Sequence, residues 1–233
     1  MSMHTLTRED LARLVAHDLP DFSSVNLGIG MPTMAAKYLR PESGMQLHSE
    51  NGILGMRGLQ AGEAEDPDLI NASKEFIRLA PGASIFDHAL SFGIMRGGHL
   101  DVTVLGAFEV SSNGDLANWS LGASDPLPSV GGAMDLAQGA RSVWVMMETR
   151  TRDGQSRLRK QCTLPLTGQG VVGRVYTELG VFAVSNGAFR PIALVKGASE
   201  DAVRGSIDGV LQWTDDYRVI ASGESVTTDG GHA

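Results

Sequence analysis

The chain has 233 residues, 42% of them hydrophobic and 20% charged, a length and composition that can bury a substantial core in one globular domain. Its formal net charge of −8 excludes a general binder of nucleic acid or acidic membrane, because long-range attraction to phosphate needs the opposite sign. The single cysteine, Cys162, excludes an intrachain disulfide framework and suits a reducing cytosol.

From the N-terminus, Met1 to Asp10 carries charge of both signs and no long apolar run, so neither a secretory signal nor a spanning helix is expected, and a cytoplasmic protein is. Residues 7–19 read as a helix, with Thr7 as N-cap, Glu9 and Asp10 in the first turn and Leu11, Leu14 and Val15 as the apolar stripe. Ser24 to Leu27 reads as a short strand running into Gly28-Ile29-Gly30-Met31-Pro32, a glycine turn opening a helix. Residues 45–48 alternate in polarity as a strand does, which puts Glu50 at the strand's end in the turn Ser49-Glu50-Asn51-Gly52. Leu59 to Leu69 has no apolar period and reads as an exposed loop that could border a site.

Leu100 to Leu105 and Ser142 to Met147 are expected to be strands, the second more deeply buried, with a turn-rich connection from Ser111 to Gly132 between them. A short helical stretch follows Val130-Gly131-Gly132-Ala133-Met134-Asp135 and ends near Gly139. Arg150, Arg152, Arg157, Arg159 and Lys160 form a basic cluster that reads first as a solvated turn and second as a contact for an anion. Cys162, beside Leu164, Pro165 and Leu166, reads as a structural thiol. Val181 to Val184 and Ile192 to Val195 flank Asn186-Gly187, a strand-turn-strand signal, and Ser199 caps a helix expected to reach Leu211. With no repeat or linker, the reading is one α/β domain over residues 1–226, a mainly parallel sheet flanked by helices, followed by a disordered tail, 227–233.

Three turns could carry chemistry. Gly28-x-Gly30 lacks the third glycine of a dinucleotide fingerprint, Thr33 standing there; it is a structural turn or, alternatively, an anion site of backbone N–H groups. Glu50 is a solvated turn residue or a covalent nucleophile, which a carboxylate becomes when ionised, oriented and shielded from water, with Gly52 and Gly55 allowing close approach. The consecutive amides of Gly131, Gly132 and Ala133 either stabilise a developing oxyanion or only pack a strand against a helix. His48, His88 and His99 are too scattered for a zinc motif, so no metal is expected, and no G-x-S-x-G elbow is present.

Val25-Asn-Leu-Gly-Ile-Gly-Met-Pro-Thr33, His48-Ser-Glu-Asn-Gly-Ile-Leu-Gly-Met56, Asp68-Leu-Ile-Asn-Ala-Ser-Lys74 and Met95-Arg-Gly-Gly-His99 together resemble the family I CoA-transferases. Gly114-Asp-Leu-Ala-Asn-Trp119, Gly131-Gly-Ala-Met-Asp-Leu136 and Cys162-Thr-Leu-Pro-Leu-Thr-Gly168 look like further blocks of the family's B-type chains in the same order, so the resemblance runs from about residue 7 to residue 195. The segments 114–123 and 128–135 are most similar to B-type chains acting on 3-oxoadipate; acetoacetate-type members usually carry lysines where this chain has Ala123 to Pro128.

The resemblance implies a fold of the NagB/RpiA-like type, a partner A-type CoA-transferase subunit in an α2β2 assembly, and CoA thioester as substrate with no tightly bound cofactor. It implies that Glu50 is the nucleophile of a ping-pong transfer from succinyl-CoA to 3-oxoadipate, an activity of aromatic compound catabolism, with Gly131, Gly132 and the Ala133 amide serving the oxyanions. Lys74 stands where the family has a lysine near its CoA-binding region, its alternative being a solvated surface residue, and Asn51 either orients Glu50, donates to an oxyanion or is an ordinary turn residue. Acetoacetate:succinyl-CoA and acetate transfer are alternatives within the family. A non-catalytic ligand-sensing module is the alternative outside it, and the block around Glu50 argues against that. Two departures stand out: Thr149 replaces the family's usual histidine after Met147-Glu148, and Arg57 interrupts the usual Gly-Met-Gly after the nucleophile turn.

Overall fold

The computed structural model describes residues 5–220. Helix α1 (Arg8–Asp18) opens on a reciprocal cap: the Thr7 side chain accepts from the Asp10 amide at 3.1 Å, and the Asp10 carboxylate accepts from the Thr7 amide at 2.9 Å. Strand β1 (Ser24–Leu27) follows, and a 3-10 helix (Met31–Tyr38) leads to β2 (Gln46–Ser49). Strands β3 (Ile53–Gly58) and β4 (Ile77–Ile85) form an antiparallel pair around the exposed loop expected between Leu59 and Leu69. Helix α2 (His88–Arg96), which the sequence reading passed over, is capped by Asp87 accepting from Leu90 at 2.9 Å. It leads to β5 (Val102–Gly106).

The turn-rich stretch after β5 holds β6 (Glu109–Ser111) and β7 (Leu116–Ala117), ahead of α3 (Ala133–Gly139) and β8 (Ser142–Met146). Strand β9 (Leu158–Arg159) joins β6 and β7 in a small three-stranded sheet. Strand β10 (Val172–Thr177) returns to the main sheet, and β11 (Gly180–Ser185) and β12 (Ala188–Val195) form the expected hairpin. At its turn Asn186 and Gly187 both have positive φ, 53° and 74°. Helix α4 (Glu200–Arg204) and edge strand β13 (Arg218–Ile220) complete the described residues.

The main sheet has the order β13-β12-β11-β10-β8-β5-β1-β2-β3-β4. Its centre, β10-β8-β5-β1-β2, is parallel throughout, while the hairpins added at β3-β4 and β11-β12 are antiparallel. The central strands are buried on both faces, and alternate residues serve two cores. On β8, Trp144 and Met146 pack with Leu11, Leu14 and Val15 of α1, whereas Val143 and Val145 pack with Met95 of α2 and Leu136 of α3.

One helix is shorter than its sequence pattern. Ser199 does cap α4, accepting from Ala202 at 3.2 Å, but the helix stops at Arg204 with Gly205 as its C-cap, not at Leu211. Leu211 instead bridges Phe189, so tertiary pairing claims the segment that weak, glycine-interrupted helix propensity left free. The tail 227–233, expected to be disordered, lies outside the described residues.

Candidate active site

The strand order reverses between β1 and β5: the chain after β1 moves to β2 on one side, while β5, β8 and β10 lie on the other. Ligands of open α/β sheets bind outside the carboxyl ends of the strands at such a point. A cavity of about 400 Å³ opens there, bounded by Gly28 after β1, Glu50 after β2, Leu105 to Phe108 at the end of β5, and Met146 and Met147 at the end of β8. Ser129 to Ala133 and Arg157 close its remaining walls.

Glu50 reaches this wall because the chain turns sharply after β2, with the Gly52 amide donating to the Ser49 carbonyl at 3.0 Å. Gly52 has φ +106°, and a Cβ there would strike the Phe86 carbonyl oxygen, so the turn admits glycine and little else. The carboxylate lies against Gly132, where a Cβ would land on Glu50 Oε2 and stand 3.0 Å from its Cδ. Burial is the largest influence on Glu50 and raises its pKa above the usual carboxylate range; the charge of His88 opposes that rise, Asp135 adds to it, and the Gly132 amide opposes it.

Behind the turn that carries Glu50 lies a buried polar array. The His48 ring meets Ser91 Oγ at 3.0 Å through Nε2 and Asn26 Nδ2 at 3.4 Å through Nδ1, and Ser91 Oγ donates to the Ser49 carbonyl at 3.5 Å. Burial lowers the His48 pKa to about 4, so the ring is neutral at physiological pH. This array links β1, β2 and α2 beneath Glu50.

The residues singled out from the sequence divide into two groups. Glu50, Gly28, Gly131, Gly132 and Ala133 share the cavity, although the Ala133 amide already donates to the Val130 carbonyl at 3.1 Å. Gly30 precedes the 3-10 helix just outside the lining. Asn51 turns away: it donates through Nδ2 to the Ile70 carbonyl at 2.8 Å and so pins the loop before β4 to the Glu50 turn. Lys74 is exposed on a turn of that same loop, at φ 64°, also outside the cavity lining. The segment that borders the turn lies beyond the Leu59–Leu69 loop expected there: the Ala72 amide donates to Ser49 Oγ at 2.9 Å.

Phe92 had no signal in the sequence, and His88 and Arg157, noted there only as a scattered histidine and as part of a basic cluster, were given no place at the site. His88 packs against Phe92 in a tilted pair at 4.5 Å between ring centroids, Arg96 covers Phe92 at 5.6 Å, and Arg96 pairs with Asp135 of α3 at 2.6 Å, which ties α2 to the turn that carries Gly132. The local signal for this helix was the Asp87 cap followed by Leu90 and Met95; nothing local pointed His88 at Glu50. The two family departures are absorbed elsewhere: Arg57 makes a bidentate pair with Glu63 at 2.7 and 2.8 Å, and buried Thr149 donates to Glu178 through both its amide and its hydroxyl.

Comparison with known proteins decides the family. Residues 8–204 match the family model described as Coenzyme A transferase. The chain belongs to the coenzyme A transferase family. This CoA-transferase chain is 54% identical over 180 residues to the B chain of the 3-oxoadipate CoA-transferase of Pseudomonas putida, covering 77% of this chain and 84% of that one. The corresponding 3-oxoadipate CoA-transferase chain of Acinetobacter baylyi is 49% identical over 199 residues, covering 85% of this chain and 92% of that one. The corresponding chain of the succinyl-CoA:3-ketoacid coenzyme A transferase of Helicobacter pylori is 46% identical, covering 84% and 94%.

Among solved structures, glutaconate coenzyme A-transferase from Acidaminococcus fermentans superposes with a TM-score of 0.69 at 15% identity, over 96% of this chain and 92% of that one. The acyl-CoA transferase YdiF of Escherichia coli O157:H7 superposes with a TM-score of 0.72 at 17% identity, over 94% of this chain; this chain spans 44% of YdiF. These likenesses carry the α/β CoA-transferase fold, and the sequence matches make the chain an enzyme that transfers CoA.

Proposed function

We propose that this chain is the B-type half of a transferase that, with a separate A-type CoA-transferase subunit in an α2β2 assembly, moves CoA from succinyl-CoA to 3-oxoadipate in the cytoplasm during aromatic compound catabolism. The observation that carries the mechanism is the half-buried Glu50 carboxylate set on the wall of a mostly apolar cavity and facing the Gly132 amide. The relatives named for 3-oxoadipate support the acceptor, and their being named as one of two kinds of subunit supports the partner.

In the first half-reaction the Glu50 carboxylate attacks the thioester carbonyl of succinyl-CoA, and the oxyanion collapses with loss of CoA thiolate to a mixed anhydride. The thiolate then attacks the Glu50 carbonyl carbon and expels succinate, leaving Glu50 as a CoA thioester. The carboxylate of 3-oxoadipate attacks that thioester, again releasing thiolate. The thiolate takes the acyl carbon, so 3-oxoadipyl-CoA departs and the Glu50 carboxylate is regenerated. No net proton is consumed, so the site needs an ionised carboxylate and no general acid.

Each step passes through an oxyanion, for which the amides of Gly131 and Gly132 on the cavity wall are the proposed donors; the Ala133 amide is the weaker candidate because Val130 holds it. The apolar walls of Ile29, Leu105 and Met147 limit hydrolysis of the anhydride and thioester. Gly28 and Gly30 are the proposed backbone contacts for the CoA thioester: Gly28 bounds the cavity beside Glu50, packed closely on Val104 and Leu105, and Gly30 sets the turn behind it. Lys74, on the exposed loop, is available to a CoA phosphate at the rim.

The test is the intact mass of the chain after mixing with its partner subunit and succinyl-CoA and reducing with borohydride, beside a Glu50→Ala control. A mass change confined to Glu50 supports the covalent thioester; an active complex with no Glu50-dependent change refutes it. Competition among 3-oxoadipate, acetoacetate and acetate then decides the acceptor.

A further inference from the structure

Among the described residues that bound the Glu50 cavity, Arg157 is the one cation; the others are neutral or, at Glu50 itself, anionic. It belongs to the basic cluster that follows β8, yet unlike an exposed turn residue it is half-buried, just ahead of β9. Its amide donates to the Thr149 carbonyl at 2.8 Å, and its guanidinium is steered by two main-chain acceptors at the end of β5: Nε donates to the Phe108 carbonyl at 3.0 Å and Nη2 to the Ala107 carbonyl. Ala107 and Phe108 themselves bound the cavity.

Within the described residues Nη1 donates to no protein acceptor, and no carboxylate comes within ion-pairing distance of the guanidinium; Glu148 and Glu178 act on it only from farther away, too weakly to offset its burial. Its neighbour Arg159, by contrast, is neutralised by Glu109 at 3.3 Å. A half-buried cation held by two carbonyls and left without a paired carboxylate is an anion site in waiting: carbonyl bonds orient the fork but do not compensate its charge.

Resting on the proposed acyl transfer at Glu50, we propose that Arg157 is the specificity-determining cation that holds the distal carboxylate of a dicarboxylic acid while its other carboxylate reacts at Glu50. The cavity provides the two poles such a substrate needs. A nucleophilic carboxylate stands at one wall, a fixed guanidinium stands at another, and apolar side chains such as Leu105 and Met147 line the space between them for the methylene chain. A monocarboxylic acid fits the same space but leaves the cation unpaired. Discrimination then follows from the desolvated charge and not from pocket size alone.

The experiment uses the assembled complex and compares Arg157→Gln and Arg157→Lys with wild type, reading kcat/KM for 3-oxoadipate and for acetoacetate. The expected result is that Arg157→Gln lowers the ratio of the two values about tenfold or more, the loss of one charged hydrogen bond, and that Arg157→Lys recovers much of it. A ratio within about threefold of wild type for both variants, even with both rates depressed, overturns the assignment and leaves Arg157 as a brace for the end of β5.

Because Arg157→Gln could fail to assemble, a second measurement uses wild type alone: inhibition by adipate against inhibition by its monoamide. Weaker inhibition by the monoamide by about tenfold supports a distal cation, and equal inhibition overturns it. Failure of the underlying reading looks different. A wild-type complex that never forms the borohydride-trapped Glu50 adduct refutes the transfer mechanism, whereas a complex that traps normally but ignores the distal charge refutes Arg157 alone.

Discussion

Replacing Gly132 with alanine isolates the contact on which the proposed chemistry depends. Gly132 has φ −86° and ψ 4°, a conformation open to any residue, so the substitution carries no left-handed strain. The new Cβ would stand 3.5 Å from Phe92 Cζ, an ordinary contact, but 3.0 Å from Glu50 Cδ and closer still to Oε2. The Oε2 contact decides the displacement: it falls about 0.8 Å short of an ordinary carbon–oxygen contact, so the carboxylate must withdraw by about that much and lose its approach to the Gly132 amide. Small displacements of a reacting group are expensive, on the order of 100-fold for about 1 Å, so we expect kcat to fall about 10- to 100-fold.

Stability should change little, because the group that yields is the end of a flexible side chain. An alanine in place of a glycine N-cap costs about 1 kcal/mol or less, about 2–4 °C in Tm for a chain of this size. Single-turnover formation of the trapped Glu50 adduct, followed beside a thermal melt, checks both numbers. A variant that forms the adduct within twofold of the wild-type rate would show that Glu50 does not react from the position seen against Gly132. A variant that melts far lower would show that the loss is one of folding.

Other expectations follow from the same structure. Burial raises the Glu50 pKa, so the acid limb of the pH–kcat/KM profile should lie above the usual carboxylate range; a limb at an ordinary carboxylate pKa argues against this environment. A carboxyl whose folded pKa exceeds its unfolded one gives up stability as pH rises through the folded value, so Glu50→Gln should stabilise the protein at pH 8 and lose that advantage near pH 4. Equal Tm differences at both pH values would contradict the sign. Glu109 is buried at 7% exposure and accepts from the Thr163 amide at 2.6 Å, the Thr163 hydroxyl at 2.8 Å and the Leu164 amide at 3.1 Å; Glu109→Ala should cost about 3 kcal/mol in urea unfolding, and a cost below about 1 kcal/mol would refute that role. Burial, with Glu109 and Asp115 nearby, pushes the Cys162 thiol up to about 12, so Ellman's reagent at pH 8 should modify it far more slowly in the folded chain than in denaturant.

Elements that depend on neighbours in the chain were legible without coordinates. The Thr7 cap with its first-turn acids, the Asn186-Gly187 hairpin and the placement of Glu50 just past a strand all rest on local backbone chemistry, and each stands where that chemistry puts it. The short reach of α4 was legible only in part, through Gly205 and Gly209, which weaken a helix to Leu211. Ser199 announces a start, but the pairing of Leu211 with Phe189 that competes for the following residues is a tertiary fact. No helix among the described residues is long and apolar enough to cross a membrane, in line with the mixed charge and modest hydropathy of the chain.

The sequence alone determined the turn that carries Glu50, the alternation of strands with helices and the glycine turns at Gly28 and Gly132, because these follow from periodicity, capping and the absence of side chains. Only the tertiary structure decided which of those features meet. Parallel strands β1, β2, β5 and β8 end side by side at a reversal of strand order, and that reversal, which no local pattern encodes, brings Glu50, Gly132 and Arg157 around one cavity. Tertiary packing also brings the Ile70 carbonyl within reach of exposed Asn51, whereas the Ala133 amide is held by Val130 in a local turn, because backbone donors are satisfied by the nearest acceptor.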